Sequence, residues 1–462
     1  MNTSKKLRRL LGLCAFVLGF VLLVILADLY FIKTDTIASL TLHEMKQRED
    51  IDLAFVGSSI VRDHFNAPMI TELTGKNAFC ATIPTASTPG SIALMQELYK
   101  TSSPEWVVLV TEPYNFLTVQ ESTEAFYKLA PYLSDVSDLT EYFLRVGRED
   151  GLYLDRLLMF REFGADSPAD VMKTIGLRYA PEKTYEKLLS TLDPTISYHG
   201  GGFLRHETDE RADDLFRESV HRIHEEHNYY LYEGSKEHLL SFKQLCEENG
   251  SKLMVVIYPN HTAHLLADRS FMDLNDALEK FCDELGVPCF NFSYALPELM
   301  PRLDSYFFDL YHMVGEGADL LSSAFARVFN GYTAGEDVSS LFYESRWQYL
   351  DNLSITTNCW ITPYRDGDAW NPALYQDEAR VRELCKSKDV YLADCNHYTE
   401  FVPEYRFVLK HPDGSEELLQ DYGVDTLYAC DRDSLAGKTL RLYARIQNHE
   451  ENGEVWYDLT IE

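Results

Sequence analysis

Two serines, an aspartate and a histidine carry the chemistry that this sequence could do. Ser58 and Ser59 follow an apolar run in IDLAFVGSSIVRDHF, residues 51–65, while Asp309 and His312 stand three residues apart in YFFDLYHMVGEGADLLSSAF, residues 306–325. A serine hydroxyl becomes nucleophilic when a neutral imidazole accepts its proton. A carboxylate on the other ring nitrogen then fixes the tautomer and stabilises the imidazolium. An Asp-x-x-His turn can present both partners to a serine held on another strand end. Each half also has a plainer reading: a serine after a strand caps the next helix, and Asp309 and His312 suit a turn and a helix start.

The elements that would position these residues follow from the hydrophobic pattern. Leu53 to Val56 reads as a short buried strand broken by Gly57, and a helix-compatible run follows the serines until Pro68. Further strands are expected at 77–82, 105–111, 252–258 and 287–291, with helical patterns at about 90–101, 216–248, 270–285 and 315–329. Near-continuous apolar strands separated by helices specify an α/β fold, with a parallel sheet covered by helices on both faces. Ligands of such sheets bind beyond the carboxyl ends of the strands. Ser58 and Ser59 fall at one of those ends.

Residues 112–250 interrupt this rhythm and read as a mostly helical, charged insertion, suited to a lid, a partner surface or a wall of the site. His221, His224 and His227 recur within it at every third residue, a spacing that drifts around a helix and suits a solvated face better than a metal. Beyond about 331 the pattern changes to alternating strands with turn signals such as Pro412-Asp413-Gly414 and Asn452-Gly453. Leu440, Leu442, Ala444 and Ile446 should face one way, as should Val455, Tyr457, Leu459 and Ile461. This predicts a separate all-β, immunoglobulin-like sandwich over 331–462. Trp360, Tyr364 and Trp370 could stack sugars there or pack its core.

The chain has 462 residues, 45% of them apolar and 13% aromatic, enough for two or three domains with real cores. Its 42 basic against 73 acidic residues give a formal charge of −31, which repels a phosphate backbone and argues against nucleic-acid partners. Lys5, Lys6, Arg8 and Arg9 precede a charge-free run from Leu10 to Ala27. Such a run approaches the roughly 20 residues that cross a bilayer. We expect residues 1–34 to be a cytoplasmic stub and an uncleaved signal anchor, leaving a single-pass protein of the cell membrane with most of the chain extracytoplasmic. A cleaved signal peptide is the alternative. The nine cysteines are scattered without a C-x-x-C pair and suggest neither zinc nor a disulfide framework, although Cys282 and Cys289 lie close enough in sequence to pair.

The order of the motifs resembles that of the SGNH (GDSL-like) hydrolases over roughly 50–330: a G-x-S turn after the first strand, several α/β units, then D-x-x-H before the last helix. Matching Gly57-Ser58-Ser59 to the family's Gly-Asp-Ser implies that Ser59 is the nucleophile, His312 the general base and Asp309 its orienting acid. The family's glycine after the second strand and its G-x-N-D after the third are unmatched here, where NAFCATIPTAS and VTEPYNF stand instead. The resemblance then leaves the oxyanion hole to Asn115, the backbone N–H of Ser59, and that of Ala81 or Thr82. More loosely, the chain is similar to the membrane-anchored members, such as the D-alanine transfer protein of teichoic acids and the alginate and peptidoglycan O-acetyltransferases. That likeness implies an acylated envelope polysaccharide as substrate and a multi-spanning acyltransferase as a partner, with no metal and no cofactor.

Other polar residues are candidates for substrate contact. Ser58 stands in the family's non-nucleophilic place. Arg62, on the first helix beside Asp63 and His64, suits an anionic group at the mouth or a solvated helix face. His261 and His264 follow the fourth strand at the same edge of the sheet. The expectation is therefore a serine esterase or O-acyltransferase acting on an envelope glycan, acetyl being the expected acyl group. The rival is a catalytically inactive scaffold of the same fold, or a glycan-binding surface protein that uses its β module for adhesion.

Overall fold

The computed structural model describes residues 3–111, 113–116, 123–150, 164–206, 231–261, 265, 269–301, 306–309, 311–352, 359–365, 367–368, 370, 377–395, 401–449 and 454–461. His221, His224, His227, His264 and the Asn452-Gly453 turn lie outside the described residues.

The expected alternation of apolar strands builds a five-stranded parallel sheet. Its strands are β1 (Leu53–Gly57), β2 (Ala78–Thr82), β3 (Trp106–Thr111), β6 (Lys252–Ile257) and β7 (Cys289–Asn291), in the order β2-β1-β3-β6-β7. Successive residues of each strand point to opposite faces, and both faces are covered. Ala54, Val56, Val107, Leu109, Val255 and Ile257 face one core, while Leu53, Phe55, Val108, Val110, Met254 and Val256 face the other. On the first face lie α2 (Thr36–Met45), α5 (Thr88–Leu98) and the helices Glu233–Glu248 and Arg269–Leu285. On the second lie α3 (Ser59–His64), α4 (Ala67–Thr74) and the helix Gly315–Thr333. Pro68 does not end a helix as the sequence pattern suggested. It sits in the first turn of α4, where its missing N–H costs nothing, and Asn66 caps that helix through Met69 N–H.

The insertion between β3 and β6 is not purely helical. Besides helices such as Pro168–Tyr179 and Pro181–Ser190 it forms a hairpin, β4 (Ile196–His199) and β5 (Gly202–Arg205). Gly200 and Gly201 make its two-residue turn with φ of +54° and +84°, the positive values that such turns demand. Gly201 also lies where a Cβ would be 2.1 Å from the Cys80 carbonyl oxygen, so the hairpin tip docks on β2, and Cys80 N–H donates to Gly200 O at 2.8 Å. The Gly-Gly pair in YHGGGF is a hairpin signal that a helical reading of the segment passes over.

Residues 338–349 still pack on the α/β unit, through Val338 in its core, a bridge between Ala295 and Phe342, and Tyr349 against Tyr294. Beyond them come two antiparallel sheets, β11-β10-β13-β14 and β12-β9-β8, comprising β8 (Cys359–Tyr364), β9 (Lys388–Cys395), β10 (Pro403–Lys410), β11 (Glu416–Gly423), β12 (Leu427–Asp431), β13 (Thr439–Ile446) and β14 (Val455–Thr460). Their inner faces share one core that includes Leu440, Leu442 and Ala444, and along β13 these and Ile446 are buried in alternation with half-buried neighbours as the period-2 pattern demands. The region is not all-β. Asp377 caps a helix, Glu378–Cys385, whose Val381 and Cys385 stand four apart and are both buried. Trp360 and Tyr364 are buried and Trp370 packs edge-on against Tyr364, so these rings belong to the interior rather than to a stacking surface. None of the nine cysteines is in a disulfide.

The N-terminal helix α1 (Thr3–Phe31) contains a span, Lys5–Asp28, whose most apolar stretch has a mean hydropathy of 3.0 and no buried residue. So much exposed Leu, Val and Phe is unfavourable in water and compatible with a transmembrane or signal anchor.

Candidate active site

The strand order places the site. Taking the five parallel strands in chain order gives 2-1-3-4-5, and in such sheets the crevice opens at the carboxyl end where the connections reverse, between β1 and β3. Gly57 closes β1 there, and only glycine fits: a Cβ would stand 2.6 Å from the Val110 carbonyl oxygen of β3 and 2.9 Å from Val61. The chain then turns sharply into α3. Ser58 is the N-cap, with its hydroxyl accepting from Ile60 N–H at 3.4 Å, and Ser59 is the first helical residue. The cap and nucleophile readings therefore fall on different serines.

Opposite the turn, residues 306–309 and 311–314 pair with each other. Val314 N–H donates to Tyr306 O, Phe308 N–H donates to His312 O, and Phe307 bridges Met313. Asp309 organises this loop. Its Oδ1 accepts the backbone N–H groups of Tyr311 and His312, both at 2.7 Å, and its Oδ2 lies 2.8 Å from His312 Nδ1. Nε2 of the same ring lies 2.9 Å from Ser59 Oγ, across 253 residues of sequence. With Nδ1–H donated to Asp309, Nε2 is left as an acceptor for the serine proton. Burial, the largest influence on the Asp309 carboxyl, pushes its pKa up. The hydrogen bond and charge of His312 and the two backbone amides outweigh it and hold the carboxyl below its usual range.

Residues that spacing alone did not single out complete the surroundings. Asp63 stands one helical turn beyond Ser59, fully buried, with Oδ2 3.9 Å from His312 Nε2. The i, i+4 spacing from Ser59 is the signal that would have put it on the same helix face. Arg62 grips Asp63 with Nε at 2.8 Å and Nη2 at 2.5 Å, and it is itself buried under β5. It is thus neither on a solvated helix face nor open at the mouth: the hairpin covers α3, and a buried guanidinium needs a carboxylate. His64 is fully buried edge-on to Tyr258, with Nε2 2.8 Å from Tyr311 O. Burial first, and then the charge of His312, push its pKa down to about 3, so it ties α3 to the loop as a neutral ring. Phe308 lies nearly parallel to the His312 ring, with centroids 5.5 Å apart, and the Arg205 guanidinium of β5 lies over the Phe308 ring at 4.5 Å.

The remaining candidates are placed as follows. The Thr82 hydroxyl donates to Ser58 O at 2.5 Å and so secures the turn. Asn115 follows β3 and gives one amide hydrogen to Thr111 Oγ1 at 3.3 Å. His261 is wholly buried behind the loop, its ring edge-on to Phe307, which removes it from direct substrate contact in this conformation. Comparison with known proteins gives no matching family model and no matching curated protein.

Proposed function

We propose that this chain is a membrane-anchored, extracytoplasmic serine esterase or O-acyltransferase of the SGNH kind, acting on an acyl ester, acetyl above all, of a cell-envelope glycan. The observation that carries the reading is the unbroken line from Ser59 Oγ through His312 to Asp309, at 2.9 and 2.8 Å. Its position at the reversal point of a 2-1-3-4-5 sheet, and the strand–turn–helix that lifts Ser59, support the SGNH assignment. The two antiparallel sheets sharing a core support an immunoglobulin-like second unit.

The chemistry follows from these distances. His312 Nε2 takes the Ser59 proton as Oγ attacks the ester carbonyl, and Asp309 stabilises the imidazolium while keeping Nδ1 protonated. The negative charge on the tetrahedral oxygen falls towards the N-terminus of α3, where the Ser59 N–H is unclaimed by the helix ladder, with Asn115 as the side-chain donor at the same strand edge. Collapse hands the proton from Nε2 to the departing sugar oxygen and leaves an acyl-Ser59. The same nitrogen then activates the acceptor, water for an esterase or a hydroxyl for a transferase, and exclusion of water decides between them. Where a multi-spanning acyltransferase is the partner that supplies the acyl group, the donor's own leaving group takes the Nε2 proton in place of the sugar oxygen, and the glycan hydroxyl is the acceptor.

The test is labelling of the detergent-solubilised chain with a fluorophosphonate, alongside hydrolysis of p-nitrophenyl acetate. Modification of Ser59, lost in Ser59→Ala, is the expected result. A folded protein that neither labels nor turns over any acylated oligosaccharide is instead a scaffold.

A further inference from the structure

His312 faces charge on both of its ring nitrogens. Asp309 occupies Nδ1, as the reaction requires. On the Nε2 side, 3.9 Å away, lies Asp63, a second carboxylate that the reaction does not require. A buried anion there favours the imidazolium, and a ring held between two carboxylates with both nitrogens protonated cannot accept the Ser59 proton. The neighbouring groups limit this effect very differently. His64, on the same helix, is neutral. Arg205 lies over Phe308, whose ring is nearly parallel to that of His312. Among the described residues, Arg62 alone meets the Asp63 carboxylate directly, with two N–H donors on its two oxygens in the forked geometry that is specific to guanidinium.

We infer that Arg62 is a positioning residue, which holds and neutralises the Asp63 carboxylate so that no uncompensated anion faces Nε2 of His312. The inference rests on His312 being the base of the proposed reaction. Three features make the arrangement specific. Ser59 and Asp63, four residues apart, share the helix face that meets Nε2. Arg62 is next to Asp63 in sequence yet turned onto it, buried beneath β5. The pair carries no net charge, so it can lie inside the protein without an excess ion.

The sign of each substitution follows. Removing the Arg62 charge unmasks Asp63, favours the imidazolium and moves the His312 titration to higher pH. Removing the Asp63 charge leaves Arg62 facing the ring and moves it lower. Removing both returns it towards the starting point, and Arg62→Lys, which keeps the charge, stays near it.

The measurement that reads this without relying on catalysis is carbethoxylation by diethyl pyrocarbonate, which modifies a histidine only in its neutral form. It is followed at His312 by peptide mass spectrometry across pH, on the full-length chain in detergent. Arg62→Met should raise the midpoint by about one unit or more, Asp63→Asn should lower it, and the double variant should fall between them. The pH profile of fluorophosphonate labelling at Ser59 should shift in parallel, with labelling of Arg62→Met regained at higher pH. Midpoints unmoved by Arg62→Met and Asp63→Asn in proteins of normal melting temperature would overturn the inference. So would shifts of the same sign in both. If Arg62→Met fails to fold, the fall in Asp63→Asn and the constancy of Arg62→Lys decide the matter. Midpoints that move as stated in a chain whose Ser59 never labels would uphold the electrostatic role and sink the enzyme reading instead.

Discussion

Asp309 holds His312 at two points, accepting its backbone N–H on Oδ1 and facing its ring Nδ1 with Oδ2. One carboxylate therefore fixes both the loop and the tautomer. Asp309→Asn, which keeps the shape but loses the charge and one acceptor, should depress acyl turnover by orders of magnitude while leaving fluorophosphonate labelling detectable. Because the folded carboxyl titrates below its usual range, its contribution to stability is present at neutral pH and is lost as pH falls through the folded value. The acid-side fall in melting temperature should be shallower in Asp309→Asn. A variant as active as the parent would rule out the orienting role.

Ser59 and His312 act as a unit, so their losses should not add. Ser59→Ala and His312→Ala should each abolish turnover of an acylated oligosaccharide with melting temperatures within a few degrees of the parent, and the double variant should be no worse than the poorer single. Ser58→Ala removes a cap, costs on the order of 1 kcal/mol of stability and should keep most of the activity. Activity in Ser59→Ala together with its absence in Ser58→Ala would move the nucleophile by one residue.

The turn between β1 and α3 depends on Gly57. A methyl group there meets the Val110 carbonyl at 2.6 Å, and backbone cannot yield as a side chain can. Gly57→Ala should lower stability by roughly 1–3 kcal/mol and impair labelling of Ser59 even at temperatures where the chain is folded, since β1 must separate from β3. Calorimetry beside labelling kinetics distinguishes the two effects. Unchanged values in both would mean that the strands part freely here.

Glu97, almost wholly buried on α5, meets Lys46, Lys100 and the Ser134 hydroxyl, which tie α2 and the start of the insertion to the sheet. Burial, the largest influence, pushes its pKa up, but these partners pull it down to about 2. A carboxyl so depressed contributes stability above its unfolded value that is lost as pH falls from about 4.5 towards about 2. Glu97→Gln should lower the melting temperature at pH 7 and remove part of that acid dependence. Parallel melting curves for parent and variant across this window would count against the network.

The apolar helix predicts topology. Full-length protein should sediment with membranes, and protease added to intact spheroplasts should digest the chain beyond residue 35. Protection of the region after Cys359 would reverse the orientation inferred from the four basic residues before the span.

The sequence by itself determined the features that depend on near neighbours. Apolar runs ended by glycine or polar residues located the five strands within a residue or two, because burial on both faces leaves little freedom of composition. The two-residue alternation of β13 assigned its inner side chains, and D-x-x-H already contained the loop that Asp309 closes on His312. Only the tertiary structure decided which distant groups meet. Ser59 reaches His312 because a parallel sheet brings its strand ends to one edge whatever the length of chain between them. Arg62 left the solvent because β5, from an insertion with no periodic tie to α3, lies across it, and Asp63 then became the partner that its buried charge requires. Local pattern encodes which face of an element is apolar. It does not encode what that face is packed against, and the charges around Nε2 were set by that packing.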